Sequence, residues 1–133
     1  MYGSLDISTS GMIAQRTRMA VIASNIANVN TLENAKGEYD PYLRRSVMLS
    51  ADSGDGQGLG VRVSDIQIEE GALRQAYRPS HPHADANGYI NVPDIDTTSE
   101  WVNGLEASRA YEANVVAAEA TKSMLAQALR LLA

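Results

Sequence analysis

Residues 97–132 read TTSEWVNGLEASRAYEANVVAAEATKSMLAQALRLL, and the spacing inside this stretch decides the fold. Trp101, Leu105, Ser108, Tyr111, Val115, Ala118, Lys122, Leu125, Leu129 and Leu132 step by three or four, which aligns them along one side of an α-helix. Ser108 and Lys122 are the two polar breaks in that stripe. A second stripe of mostly small residues, Ala113, Ala117, Ala120, Met124 and Ala128, lies beside it. Two apolar faces on one helix require more than one neighbour. Thr97 and Glu100 have the Thr-x-x-Glu spacing of a capping box, in which hydroxyl and carboxylate each satisfy an orphan amide at the helix start. From there the helix is predicted to run to the end of the sequence. Glu106 with Arg109 and Glu119 with Lys122 are i,i+3 pairs that add only a few tenths of a kcal/mol each on a solvated face.

A second helix is predicted at the other end. Leu5, Met12, Met19 and Ile26 recur at seven-residue intervals, with Ile22 and Val29 in the companion position. Such a helix would extend roughly 35 to 40 Å at 1.5 Å per residue. Gly11 in its interior costs up to about 1 kcal/mol relative to Ala, so a closely approaching neighbour is the expected reason for it. The helix should stop between Asn28 and Thr31, where Asn25, Asn28 and Asn30 fit a helix end better than an interface ladder on spacing alone.

The middle has a different period. Tyr42–Leu49 and Val61–Ile68 alternate every two residues and flank the Gly-rich run from Ser53 to Gly60, so they are predicted to be strands joined by a solvated loop. Shorter strands are expected at Leu73–Tyr77 and Tyr89–Val92. The fold class is α+β: long N- and C-terminal helices (1–31 and 97–133) forming a helical hairpin or coiled coil, with a small β-hairpin-rich region (32–96) carried between them.

Composition narrows the function. The 133 residues include no Cys and no Phe, and the net charge is −5. The field therefore repels phosphate backbones and offers no basic handle to acidic lipid, which argues against nucleic acid and membrane partners. Without cysteine there is no disulfide, thiolate nucleophile or Cys-based zinc site. No basic cluster followed by an apolar run marks a cleavable signal near the start, and no stretch approaches the ~20 apolar residues that span a bilayer. His81, His83 and Asp85 could offer ligands to a metal, but a third strong ligand at suitable spacing is missing, and these residues read better as a turn before Asn87-Gly88. The Gly-rich run lacks the Lys-Ser/Thr ending of a phosphate loop and the acidic spacing of a calcium loop. No carboxylate pair and no nucleophile elbow suggests catalysis; the expectation is a chain that is not an enzyme and needs no cofactor.

At both ends the residues resemble a known family. Ser10-Gly11-Met12-Ile13-Ala14-Gln15-Arg16 followed by Ala23-Ser24-Asn25-Ile26-Ala27-Asn28-Val29-Asn30-Thr31 is similar to the N-terminal motif of flagellar rod and hook axial proteins. Trp101-Val102-Asn103, Ala107-Ser108-Arg109-Ala110-Tyr111-Glu112-Ala113-Asn114 and Lys122-Ser123-Met124 are similar to that family's C-terminal signature. Tyr77-Arg78-Pro79-Ser80-His81-Pro82, Ala84-Asp85-Ala86-Asn87-Gly88-Tyr89-Ile90 and Pro93-Asp94-Ile95-Asp96 resemble its proximal rod members, and the length leaves no room for the inserted domains of distal rod and hook members.

The resemblance implies a bacterial flagellum protein, exported by the type III apparatus without a cleaved signal peptide and polymerised helically in the periplasm as part of the torque-carrying rod. Implied partners are copies of itself, the sister proximal rod subunit, distal rod subunits, a rod-base adaptor and the export apparatus. The residues then expected at the assembly interface are Leu5, Met12, Met19, Ile22, Asn25, Ile26, Asn28 and Val29 in the first helix. In the second they are Trp101, Leu105, Tyr111, Asn114, Val115, Ala118, Leu125, Leu129 and Leu132. Before assembly one or both helices are expected to be partly disordered. The alternative within the same class is the sister proximal subunit or an adaptor at the rod base. The alternative from another class is a free-standing two-helix binding module with a small β domain, which would ignore rod subunits, and an enzyme using His81 and His83 comes last.

Overall fold

A computed structural model describes residues 2–52 and 59–133. The elements are α1 (Tyr2–Ala27), β1 (Arg45–Ala51), β2 (Val61–Ile68), β3 (Leu73–Tyr77), β4 (Tyr89–Pro93) and α2 (Thr97–Leu132). The chain is thus α+β, two long terminal helices packed together with small antiparallel hairpins between them. Of the expected Gly-rich loop, residues 53–58 lie outside the described residues.

The helices run antiparallel in a register read from their contacts. Asn25 meets Glu100, Arg18 meets Glu106, Asn114 sits where a side chain on Gly11 would be, and Ser4 meets Thr121. On α1 these positions are seven residues apart, as a packed helix pair demands. They are not the positions of the large apolar heptad. Leu5, Met12, Met19 and Ile26 each fall one residue later and are half-buried on the flank. The enclosed positions are instead Ser8, Gly11, Ala14, Ile22 and Asn25 on α1, facing Glu100, Ala107 and Thr121 on α2. Small residues let the two backbones approach closely, which displaces bulky side chains to the edges. Gly11 shows the closeness: a Cβ there would stand 2.7 Å from Asn114 Oδ1.

The start of α2 differs from the expected capping box. Asp96 is the N-cap, accepting from the Thr98 amide (3.1 Å) and the Ser99 hydroxyl (2.8 Å). These bonds, Ser99 first, hold the Asp96 carboxyl below its ordinary range. Glu100 is thereby released from helix capping and turns into the protein. Glu106, expected to pair with Arg109, instead reaches Arg18 of α1 at 3.4 Å.

β1 and β2 pair with an irregularity at Met48/Leu49, where Ser64 is the extra residue and its hydroxyl donates to the Met48 carbonyl at 3.0 Å. The loop end of this hairpin docks on α1 through Ser10, whose oxygen accepts from the Val61 amide at 3.1 Å. β1 begins at Arg45 instead of the expected Tyr42, because Tyr42 and Arg44 are drawn toward the helices. β3 and β4 form the second hairpin, with Ile90 and Val92 buried.

The residues between those strands build a turn. Asp85 accepts from the Asn87 and Tyr89 amides, both at 2.9 Å, and Gly88 takes a positive φ of 84°. His83 stacks on Tyr39 at 4.9 Å. A tight Asx turn at Asn34, closed by Gly37 at φ 79°, places Tyr39 so that its hydroxyl donates to the Asn91 carbonyl and accepts from the Asn91 amide. In this way one side chain satisfies both backbone groups on the open edge of β4.

Candidate assembly surface

Where the helix pair meets the first hairpin, a polar cluster is enclosed. Asn25 is fully buried and uses every hydrogen-bonding position that an amide side chain offers. Its Nδ2 donates to the Arg45 carbonyl (2.8 Å) and to Glu100 Oε2 (3.2 Å), and its Oδ1 accepts from the Arg45 amide and the Tyr42 hydroxyl, both at 3.0 Å. Glu100 is 1% exposed, a depth at which a carboxylate persists only with partners. Arg44 Nε supplies the second, at 2.6 Å, while Arg44 Nη1 holds Glu69. Burial pushes the Arg44 guanidinium toward losing its proton, but the hydrogen bond and charge of Glu100, with Glu69 behind, outweigh it and raise its pKa. One cluster thus ties α1, the segment entering β1, the end of β2 and α2 together.

Asn25 therefore stands inside the chain and has no position left for a neighbouring molecule. Asn28 is half-buried at the end of α1, where Nδ2 donates to the Ser24 carbonyl (2.8 Å) and Oδ1 accepts from the Thr31 hydroxyl (3.0 Å). The helix-end reading of these asparagines describes Asn28 well. It does not describe Asn25, which ties α1 to the segment entering β1 and to α2. Sequence reasoning missed this cluster because its members are separated by up to 75 residues. Glu100 had also been given a plausible local partner.

The other expected residues divide by exposure. Ile22 is buried; Leu5, Met12, Met19, Ile26, Val29, Tyr111, Asn114, Val115, Ala118 and Leu125 are half-buried; Trp101, Leu105, Leu129 and Leu132 are exposed. Trp101 at 67% and Leu105 at 54% stand beside Met19, Ile26 and Ala27, forming the wall of a largely apolar groove of about 480 Å³. The groove is open beside the polar cluster, with Glu100 at its floor. At the far end of α2, Leu129, Leu131 and Leu132 are 66 to 87% exposed. Leu131 was absent from the expected set because it lies off the stripe.

Side chains of this size left in water forgo roughly 1.5 to 3 kcal/mol each that burial would provide. Contiguous exposure of that kind marks contact surfaces. The groove's one ionisable residue, Glu100, is held by Arg44 and Asn25, and the apolar remainder is suited to packing against other protein. Among the described residues no helix is long and apolar enough to cross a membrane.

Comparison with known proteins places both ends of the chain in one group. Residues 5–33, which contain all of the α1 seam from Leu5 on, match the family described as flagella basal body rod protein. Residues 86–131, covering β4 and nearly all of α2, match the family described as flagellar basal body rod FlgEFG protein C-terminal. The flagellar basal-body rod protein FlgC of Bacillus subtilis (strain 168) is 39% identical over 98% of this chain and 97% of its own length. FlgC of Salmonella typhimurium is 37% identical over 95% and 93%, and FlgC of Borreliella burgdorferi 34% over 99% and 97%. With identity of this level sustained across both helices and the hairpins between them, the chain belongs to the FlgC family of flagellar basal-body rod proteins.

Proposed function

We propose that the chain is a structural subunit of the proximal flagellar rod, assembling helically through its terminal helices into the shaft that carries torque, and that it catalyses no reaction. The observation that carries this reading is the division of labour on the helix pair. Its internal seam is closed by small and polar residues, while Trp101, Leu105, Leu129 and Leu132 face outward. In this reading residues 1–31 and 97–133 form the axial unit and 32–96 the outer one. Partners are copies of the chain, the sister proximal rod subunit, distal rod subunits and a rod-base adaptor. The chain reaches the periplasm by the flagellar export apparatus. Contacts between surfaces that differ at the two ends of an elongated subunit generate an open helical assembly where the rotation between copies does not close into a ring.

The test is deletion of the chain followed by electron microscopy of basal bodies. Loss of the rod is expected, and intact rods would overturn the proposal. At residue level, Ile26→Asp or Leu125→Asp is expected to leave secretion intact and abolish rod assembly, read by immunoblot of the exported fraction beside basal-body preparations. A free-standing binding module would instead ignore purified rod proteins in a co-assembly assay.

A further inference from the structure

The seam between the helices admits more than one register. Glu100, Asn114 and Thr121 of α2 meet Asn25, Gly11 and Ser4 of α1. Ala107 is fully buried on the same line, and Ala128 continues its seven-residue spacing beyond Thr121. Because α2 has 36 residues against 26 in α1, there is room to slide. Moving α1 by one heptad, about 10.5 Å at 1.5 Å per residue, would bring Asn25 to Ala107, Gly11 to Thr121 and Ser4 to Ala128. Each of these meetings sets small residues against the α1 seam, so close packing alone does not forbid the displaced pairing.

Most bonds across the seam resist such a slide weakly. Arg18 and Glu106 form an ion pair whose acid is 65% exposed, and pairs of this kind contribute little. Ser4 and Thr121 share one hydroxyl bond. Gly11 would exchange Asn114 for the smaller Thr121.

The buried polar cluster behaves differently, because its members ride on different helices. Asn25 grips both backbone groups of Arg45, and the hydroxyls of Ser24 and Tyr42 share a bond at 3.1 Å. The segment that carries Arg44 therefore moves with α1, whereas Glu100 moves with α2. A one-heptad slide draws Glu100 away from Asn25 and from Arg44 at once, and a buried carboxylate stripped of its partners is strongly disfavoured. We propose that the Asn25–Arg44–Glu100 cluster is a register key, which selects the observed pairing of the helices over one displaced by a heptad.

The sequence has no cysteine, so disulfide formation in the dilute full chain reports the register. Ser4→Cys is combined in turn with Thr121→Cys, with Ala128→Cys, and with Ser123→Cys, which lies two residues from Thr121 and so on the far side of α2. In the original background the 4–121 pair is expected to close and the 4–128 pair to close at least tenfold more slowly, since a 10.5 Å offset exceeds the roughly 7 Å between Cα atoms that a disulfide spans. The same pairs are then placed on Asn25→Leu with Arg44→Met and Glu100→Leu, because a buried charged cluster replaced whole by apolar side chains is often tolerated. There the 4–128 rate is expected to rise at least tenfold while 4–123 stays low.

A 4–128 rate that does not rise would overturn the proposal. Equal rates at 121, 123 and 128 would overturn it too, since the cluster would then hold the helices together instead of choosing between two pairings. Asn114→Ala with the cluster intact should keep the original pattern. A fast 4–128 pair in that variant would assign the register to seam packing and not to the cluster.

Discussion

The two ends of the helix pair are held by different chemistry. Near Asn25 and Glu100 almost every contact is polar and saturated: an amide with four partners, a buried carboxylate with two, and a guanidinium shared between two acids. Near Thr121 a hydroxyl pair at 3.3 Å, Ser4 to Thr121, joins the helices, and beyond it the leucines of α2 are exposed. Saturated polar groups define one geometry because any slip leaves a buried group unsatisfied. Leucines in water define none, and they remain available. The difference teaches that the helix pair closes on polar and small residues with Ile22 among them, while Trp101, Leu105, Leu129 and Leu132 stay in solvent, available to other molecules in the proposed assembly.

If so, the largest loss in the lone chain should come from the polar end. Glu100→Ala leaves the half-enclosed Arg44 with Glu69 alone and Asn25 Nδ2 with one partner fewer. Breaking a buried pair from one side costs about 3 kcal/mol or more, and the thermal unfolding midpoint should fall accordingly. An unchanged midpoint would mean that the cluster contributes little to the shape of the chain.

Next comes the middle of the seam. Gly11→Val puts a Cβ and its two methyl groups where Asn114 stands, and overpacking of this kind costs about 1 to 3 kcal/mol. Asn114→Ala should recover much of it in the double variant, a coupling that denaturant titration would read. Gly104 offers the contrast. A Cβ there meets only Ile22 Cγ2 at 3.5 Å, ordinary contact, so Gly104→Ala should stabilise the chain by up to about 1 kcal/mol through helix propensity. Destabilisation at Gly104 would contradict the spacing of the seam.

Smaller still is the cap. The Asp96 carboxyl is held below its usual range by Ser99 and by the Thr98 amide, so its contribution is present above the ordinary carboxylate range and disappears as pH falls through its lowered pKa. Asp96→Ala should therefore unfold earlier than the original chain near neutrality and match it in strong acid. A gap that persists unchanged into acid would show that the cap acts through something other than the ionised carboxylate.

Much of this architecture was legible in the sequence. Periods of three to four and of two gave both helices and all four strands, with Leu73–Tyr77 and Val61–Ile68 placed at their observed bounds, because those periods follow from backbone geometry alone. The seam was not legible. Leu5, Met12, Met19 and Ile26 form the conspicuous heptad, yet the enclosed line runs through Ser8, Gly11, Ala14, Ile22 and Asn25. Hydrophobicity ranks residues by what water rejects, whereas the distance between two helices is set by what is small enough to lie between them. Gly11, read as a site of close approach, was the one signal of it.

Of the proposed assembly surface, Trp101, Leu105, Leu129 and Leu132 were picked out by helical spacing and are exposed in the lone chain. The polar cluster was hidden by distance along the chain. Tyr42 and Arg44 resemble ordinary strand residues, and the spacing of Glu100 from Thr97 imitates a cap that Asp96 actually provides. Nothing local distinguishes a carboxylate that closes a helix end from one that reaches a guanidinium 56 residues away.

Thermal unfolding of the dilute monomer carrying both Trp101→Asp and Leu105→Asp separates internal packing from assembly most directly. Because both side chains already face solvent, the stability should stay within about 0.5 kcal/mol of the original chain. A loss of about 2 kcal/mol or more would mean that these residues are buried by the chain itself, and the division between self-packing and outward-facing side chains would be wrong.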